Sequence, residues 1–451
     1  MVQASPARRR ENISVTISAI TEPRLAMKQL TLDLKNYRKF KTLHLEFDPR
    51  FTLLMGVNGT GKTSVLQGIW RSWQPLIVSA NISPSPATVN EVHRQASIDV
   101  ASESWLAPQF PLHAAGDFCC DGISVGGVGL TLEGTGRAGF LNHQSWNQMD
   151  SMVKAAFQAN AQTPIPLLAR FGASKPQPAG EAGGLKKPFA ERKDVWALAQ
   201  SDEVHSDKLT SWFQYYELRS LQEKETPLLL TLARKAVLAA IHAEDISFII
   251  RENALMVRHA DVGWRKFSDL SDGQQRIAAI FCDLAMRCAS LNSHLGEKAI
   301  EETTGVVTID ELDLHLHPQW QRTVIQDLLS IFPNLQFIAT SHSPFLLQAA
   351  FAQGSVIDLA TGEAVTAPDE SIEDIAEHVM GVHPFPQRSQ RWHDMKAVAA
   401  EYYHLLEVAK KSTDSQEVQA VKLRLDELII PYTNDPAYAA WLEMHRAAAG
   451  V

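Results

Sequence analysis

Gly56-Val57-Asn58-Gly59-Thr60-Gly61-Lys62-Thr63 has the form G-x-x-x-x-G-K-[ST]. Upstream, Phe51 to Met55 is a short apolar run that reads as a buried strand. Downstream, Val65, Leu66, Ile69 and Trp70 recur at helical spacing, in a helix expected to end near Trp73. Strand, glycine loop and helix are the context in which this motif cradles phosphate. Glycine lets backbone N–H groups close around phosphate oxygens, and the helix N-terminus adds its positive dipole end. The expected cradle is Gly56, Asn58, Gly59, Thr60, Gly61, Lys62, Thr63 and Ser64. In it Lys62 reaches the outer phosphates and Thr63 binds Mg²⁺.

Before the loop, Leu30, Leu32 and Leu34, then Leu43, Leu45 and Phe47, alternate with other residues. They predict two strands joined by the basic turn Asn36-Tyr37-Arg38-Lys39. Residues 1–26 read as a disordered extension. Met27 stands directly before the first strand, so folded structure, and the natural start, is expected there. From 74 to 162 the pattern weakens to a β-rich, irregular insertion with glycine-rich β-like pieces between Gly116 and Gly139. Ile165 to Phe171 predicts a strand, Ala173 to Pro188 a loop, and about 190–243 a helical insertion. No sustained heptad follows, which excludes a long coiled-coil arm.

Ile246–Ile250 and Ala254–Arg258 predict a hairpin around Glu252-Asn253. Leu270-Ser271-Asp272-Gly273-Gln274 then opens a helix with Ile277, Ile280, Phe281, Leu284 and Cys288 on its buried face. Ser271 or Asp272 suits the N-cap, and Ser271, Gly273 and Gln274 also suit anion contact. Val306-Val307-Thr308-Ile309 is a strand ending in Asp310-Glu311. Asp310 can hold Mg²⁺ beside the phosphates, and Glu311 can activate the attacking water. A second helix through Val324 to Phe332 and a strand from Leu335 to Thr340 lead to Ser341-His342, where His342 can meet a γ-phosphate. The candidate catalytic residues are therefore Glu311, His342 and Lys62. His315 and His317 lack a third ligand and read as loop residues.

The 451 residues carry 42 Lys and Arg against 51 Asp and Glu, a net charge of −9, so nucleic acid could be held only by a local basic patch. No apolar run approaches membrane-span length, which argues against a fused transporter. Cys119, Cys120, Cys282 and Cys288 show no C-x-x-C spacing and fit a reduced, cytoplasmic protein. Two amphipathic stretches, Trp392 to Leu406 and Val418 to Leu428, predict a helical region over 351–451 that packs on the core or on a partner.

In their order, these motifs resemble the ABC-type ATPase heads of the SMC, RecF and OLD group, over about 27–350. Asp272 stands where transporters have a second glycine. Leu314-His315-Leu316-His317-Pro318 is similar to the OLD-like branch, and with Trp320 and Phe332–Ile338 it resembles the Septu and retron-associated anti-phage ATPases. The resemblance implies an α/β, two-lobed P-loop head with a helical insertion. It implies ATP, with Mg²⁺ on Thr63 and Asp310, between two heads: the phosphate loop, Asp310, Glu311 and His342 of one, and Ser271 and Gly273 of the other. A homodimer or higher oligomer follows, with a separate HNH-type nuclease as partner, and DNA or a retron nucleic acid as a further candidate. No TOPRIM nuclease motif follows His342. Gln144, Gln148 and Gln162 are candidates for the Q-loop glutamine, and Lys35, Arg38 and Lys41 match either a basic turn near nucleotide or a solvated one. A RecF-like repair ATPase and an ATP-stabilised scaffold are the alternative roles.

Overall fold

The computed structural model describes residues 27–96, 106–120, 123–136, 138–140, 144–158, 162–173, 191–204, 206–365, 398 and 419–424. Two compact units divide the chain, Met1–Pro368 and Asp369–Val451. In the second, residues 398 and 419–424 are helical. The remainder of the expected C-terminal helices, the extension 1–26 and the loop 174–188 lie outside the described residues.

The first unit is α/β. Its central sheet runs Leu167–Phe171, Gly305–Ile309, Leu335–Thr340, Phe51–Met55 and Ser355–Asp358, all parallel, and closes with the antiparallel Glu363–Ala364. Every residue of the first four strands is buried. That explains their continuous apolar runs, since a parallel sheet is covered on both faces. Ser355–Asp358 carries this unit beyond position 350. The register aligns Phe171 with Ile309, Ile309 with Ala339, and Ala339 with Leu53. The carboxyl ends of these strands therefore share one edge of the sheet, where ligands bind in folds of this kind.

A second, antiparallel sheet runs Phe40–Glu46, Thr31–Tyr37, Leu112–Cys120, Ile123–Leu132 and Gly139–Phe140, with Met27–Gln29 also paired to Leu112–Cys120. The β-like pieces between Gly116 and Gly139 are thus strands of this sheet. Helix Lys62–Ser79 packs on it and on Leu335–Thr340. At Gly68 an added Cβ would lie 2.7 Å from Leu34, which shows how closely helix and sheet approach. The helix passes Trp73, its expected end, and continues through Pro75. Pro75 forfeits a helical hydrogen bond, but Ile69, Trp73, Leu76 and Ile77 are all buried and hold the helix through that point.

Gln29 and Gln336 stitch the two sheets together. Gln29 N donates to Gln336 Oε1 at 2.8 Å, and Gln336 Nε2 donates to Gln29 O at 2.8 Å. Trp73 Nε1 donates to Gln29 Oε1 at 2.8 Å, which ties the helix to the same pair. Both amides are buried and satisfied, the condition under which a buried polar network fixes one arrangement.

The helical insertion forms Arg192–Ala197, Ser206–Glu223 and Leu228–Ala240. The last two are separated by Lys224 at φ 54° and by Pro227, the N-cap of the second. The expected hairpin, Asp245–Ile249 with Ala254–His259, gains a third strand, Gly263–Lys266. The chain then enters helix Asp272–Leu291.

Candidate functional site

The strand Phe51–Met55 delivers its chain to the carboxyl edge and turns at Gly56 (φ 146°), Gly59 (φ 83°) and Gly61 (φ 102°). These positive φ values are open to glycine and strained for most other residues. Thr60 folds the loop back, its N–H and its Oγ1 both donating to Val57 O, at 3.2 and 2.9 Å. Gly61 is the N-cap of helix Lys62–Ser79 and brings no side-chain cap, so no capping side chain occupies the first N–H groups of that helix. Lys62 is buried. Its Nζ donates to Gly56 O at 2.6 Å, folding the ammonium over the loop. Burial lowers its pKa, against the opposing pull of Asp310, Glu311 and Asp313.

Asp310 follows Gly305–Ile309, and its carboxylate is bracketed by two hydroxyls. Thr63 Oγ1 donates to Oδ2 at 2.7 Å, and Thr340 Oγ1 donates to Oδ1 at 2.6 Å. Glu311 adopts φ 49°, and its N–H donates to Thr340 Oγ1 at 2.8 Å. Beneath them Arg276, 1% exposed, donates to the carbonyls of Asp310 (2.8 Å), Glu311 (3.1 Å) and Gly172 (3.0 Å). Burial pulls its pKa down to about 10, which leaves it charged at neutral pH.

An open cleft of about 560 Å³ lies here, and Gly56, Thr60, Thr340 and Arg276 are not among its lining residues. Asn58, Gly59, Gly61, Lys62, Thr63 and Ser64 form one wall, and Asp310, Glu311 and His342 form another. Arg38, Lys39 and Asn90 complete it. Three adjacent strand ends thus bring a phosphate loop, two carboxylates and an imidazole to one place. An ammonium and free helix N–H groups can bind phosphate oxygens there. A carboxylate with flanking hydroxyls supplies the hard oxygen donors a divalent cation prefers.

Ser271, Gly273 and Gln274 are not among the lining residues of that cleft. Ser271 is the N-cap of helix Asp272–Leu291: its Oγ accepts from Gln274 N at 3.3 Å, and Gln274 Oε1 accepts from Ser271 N at 3.2 Å. Gly273 lies against the turn after Glu311, where an added Cβ would be 2.2 Å from His315 O. His315 takes φ 61° in that turn. His317 caps helix Pro318–Ile331, its side chain accepting from Gln319 N. No metal-holding group of three His, Cys, Asp or Glu occurs among the described residues.

Thr340, Arg276, Lys39 and Asn90 belong to the site but were not singled out by sequence. Lys39 Nζ donates to Gly59 O at 2.8 Å. Of the basic turn, Arg38 and Lys39 line the cleft, whereas Lys35 and Lys41 do not. Gln162 lies in an exposed turn, and the side chains of Gln144 and Gln148 are outside the described residues. A hydroxyl at the end of the strand before His342 was the one available signal for Thr340. Arg276 stands two residues after the Leu270–Gln274 segment, but which carbonyls it reaches is set by the tertiary fold.

A family model described as "AAA domain, putative AbiEii toxin, Type IV TA system" matches residues 192–348, and one described as "AAA domain" matches residues 31–71. The chain is 46% identical over 79 residues to the retron Vc95 probable ATPase of Vibrio cholerae serotype O1 biovar El Tor, a match covering 18% of this chain and 15% of that protein. It is 40% identical over 95 residues to the Septu protein PtuA of Bacillus thuringiensis, covering 18% of this chain and 24% of that one. The matched stretches thus span less than a quarter of these two curated relatives. Among solved structures, the SMC head domain from Thermotoga maritima aligns at a TM-score of 0.38 and 12% identity, over 76% of this chain and all of that one. The chain is similar to the retron and Septu ATPases, the branch to which its motifs point. No helix among the described residues is long and apolar enough to cross a membrane.

Proposed function

We propose that this chain is an ATP-binding and ATP-hydrolysing switch of bacterial anti-phage defence, controlling a separate HNH-type nuclease. The convergence of the phosphate loop, Asp310-Glu311 and His342 on one cleft carries the reading. The likeness to retron and Septu ATPases supports the defence context.

The backbone N–H groups of Gly59 and of Gly61 to Ser64, with the Lys62 ammonium, bind the phosphate chain, while the Thr60 N–H closes the loop on Val57 O. Thr63 and Asp310, already joined by a hydrogen bond, are the residues that would hold Mg²⁺. Mg²⁺ there would neutralise charge developing on the phosphate oxygens. Glu311 orients the attacking water and accepts its proton, and His342 contacts the γ-phosphate side. Ser271, Gly273 and Gln274 stand apart from the cleft of their own chain. They act on the nucleotide of a facing copy, so binding closes a dimer of heads and hydrolysis opens it.

The test is native mass of the protein co-expressed with its neighbouring gene, with and without ATP, for wild type and Lys62→Ala. A complex with an HNH-bearing protein whose assembly changes with ATP, and no longer does so in Lys62→Ala, supports the proposal. A chain that stays without such a partner and dimerises only with ATP and DNA favours a RecF-like repair role. A dimer indifferent to hydrolysis favours an ATP-stabilised scaffold.

A further inference from the structure

A second cavity, of about 760 Å³, lies among the helices away from the phosphate loop. Its size suits a mononucleotide-scale ligand. Tyr216, Phe157 and Leu229 provide its apolar lining, and Lys154, Lys193 and Arg219 provide cations. Arg192 also lines it but is committed elsewhere, donating through Nε to Leu291 O at 2.7 Å. Each of the other three cations is held by a single carboxylate: Lys154 by Asp150 at 2.8 Å, Lys193 by Glu191 at 2.8 Å, and Arg219 by Glu223 at 2.9 Å. The three cationic side chains are 53, 52 and 42% exposed, so these pairs are weak and a polyanion can displace them. Glu191 is the one carboxylate among the described lining residues. The Tyr216 hydroxyl, its pKa raised to about 12 chiefly by burial, stays protonated and able to donate.

Position gives this cavity a second property. Ser79 and Ala80, at the end of the helix that begins at Lys62, line it. So do Ala289 and Ser290, near the end of the helix that begins at Asp272. The cavity therefore touches the far ends of the two helices whose starts carry the phosphate loop and the Ser271–Gln274 segment. At 18 residues the first helix spans roughly 27 Å, so the two sites cannot share one ligand.

We infer that this cavity is a second ligand site, for a phosphate-bearing aromatic compound of the nucleotide class. The flat ring packs on Tyr216, Phe157 and Leu229, and the phosphates replace the weak carboxylate partners of Lys154, Lys193 and Arg219. Occupancy is read at the far ends of both helices, which makes the site regulatory to the cleft.

Calorimetric titration of the full chain with ATP, GTP and inorganic tripolyphosphate tests this. Wild type binds two equivalents of nucleotide, and Lys62→Ala keeps one. Adding Lys154→Glu and Arg219→Glu to Lys62→Ala weakens the remaining equivalent at least tenfold, and Tyr216→Ala weakens nucleotide while sparing tripolyphosphate. The two charge reversals lie on exposed positions and leave the fold intact, as circular dichroism checks. One equivalent in wild type with none in Lys62→Ala overturns the second site. So does a remaining equivalent indifferent to the charge reversals, or tripolyphosphate binding as tightly as nucleotide. Two equivalents retained by Lys62→Ala count against the proposed role of the phosphate loop instead, so the two failures are distinct.

Discussion

Thr340 donates its hydroxyl hydrogen to Asp310 Oδ1 at 2.6 Å and accepts the Glu311 N–H at 2.8 Å. One side chain on the neighbouring strand thus orients both carboxylate residues. Thr340→Val keeps the shape and removes the hydroxyl, leaving a buried carboxylate oxygen and an N–H short of a partner. The expected loss is about 1–3 kcal/mol of stability, with Thr340→Ser recovering most of it. Urea unfolding of the three proteins measures this. A valine variant as stable as wild type would show that the hydroxyl does not hold the pair.

Arg276 serves three carbonyls from one buried guanidinium, on Gly172, Asp310 and Glu311. Arg276→Met leaves the Gly172 and Asp310 carbonyls without that donor, while Glu311 O keeps the Leu314 N–H at 3.0 Å, and should destabilise by roughly 2–4 kcal/mol. Arg276→Lys should recover only part, because a single ammonium cannot reproduce a planar fork of donors. Thermal melting ranks the variants, and a lysine variant equal to wild type would contradict the fork argument.

The central sheet was legible because its strands are buried on both faces, so Phe51–Met55, Gly305–Ile309 and Leu335–Thr340 read as unbroken apolar runs ended by chemistry-bearing residues. Gly263–Lys266 was not legible. It is a short outer strand of half-buried and exposed residues, and carries no apolar alternation. The glycines of Ile123–Leu132 weaken its strand pattern for another reason: at Gly129 an added Cβ would lie 2.1 Å from Ala114 O, a contact known only once the strands are paired. The first helix runs past its expected end near Trp73 and through Pro75, because burial on two sheets overrides local propensity there. At the site, the motif residues were read by type and spacing. Thr340 and Arg276 were not, because their roles depend on which strand ends the fold sets side by side.

Lys28 gives the stability a pH dependence. Its Nζ donates to Asn334 O at 2.8 Å, and burial, aided by Arg50, lowers its pKa to about 8. Below pH 8 the lysine is protonated both folded and unfolded, and the folded state carries the penalty of a buried charge. Between about 8 and the ordinary 10.5 the folded protein has released a proton that the unfolded chain still holds. Stability therefore rises with pH across that window and levels above it. Lys28→Met should be flatter over the same range. Chemical denaturation at pH 7, 8, 9 and 10 checks the difference between the two proteins, and parallel curves would refute the assignment.

Glu311→Gln separates chemistry from architecture. The Glu311 backbone is held by Thr340 and Arg276 regardless of its side chain, so the glutamine variant should fold within about 1 kcal/mol of wild type, as a conservative change at a half-buried position would. An amide cannot accept a proton from the attacking water, so turnover should fall roughly 10²–10⁴-fold. With binding intact and hydrolysis blocked, the proposed facing-heads dimer should accumulate in ATP and survive gel filtration, whereas wild type should return to its resting assembly as ATP is consumed. If the variant binds ATP normally yet forms no more dimer than wild type, nucleotide does not close the heads, and Ser271, Gly273 and Gln274 need another role.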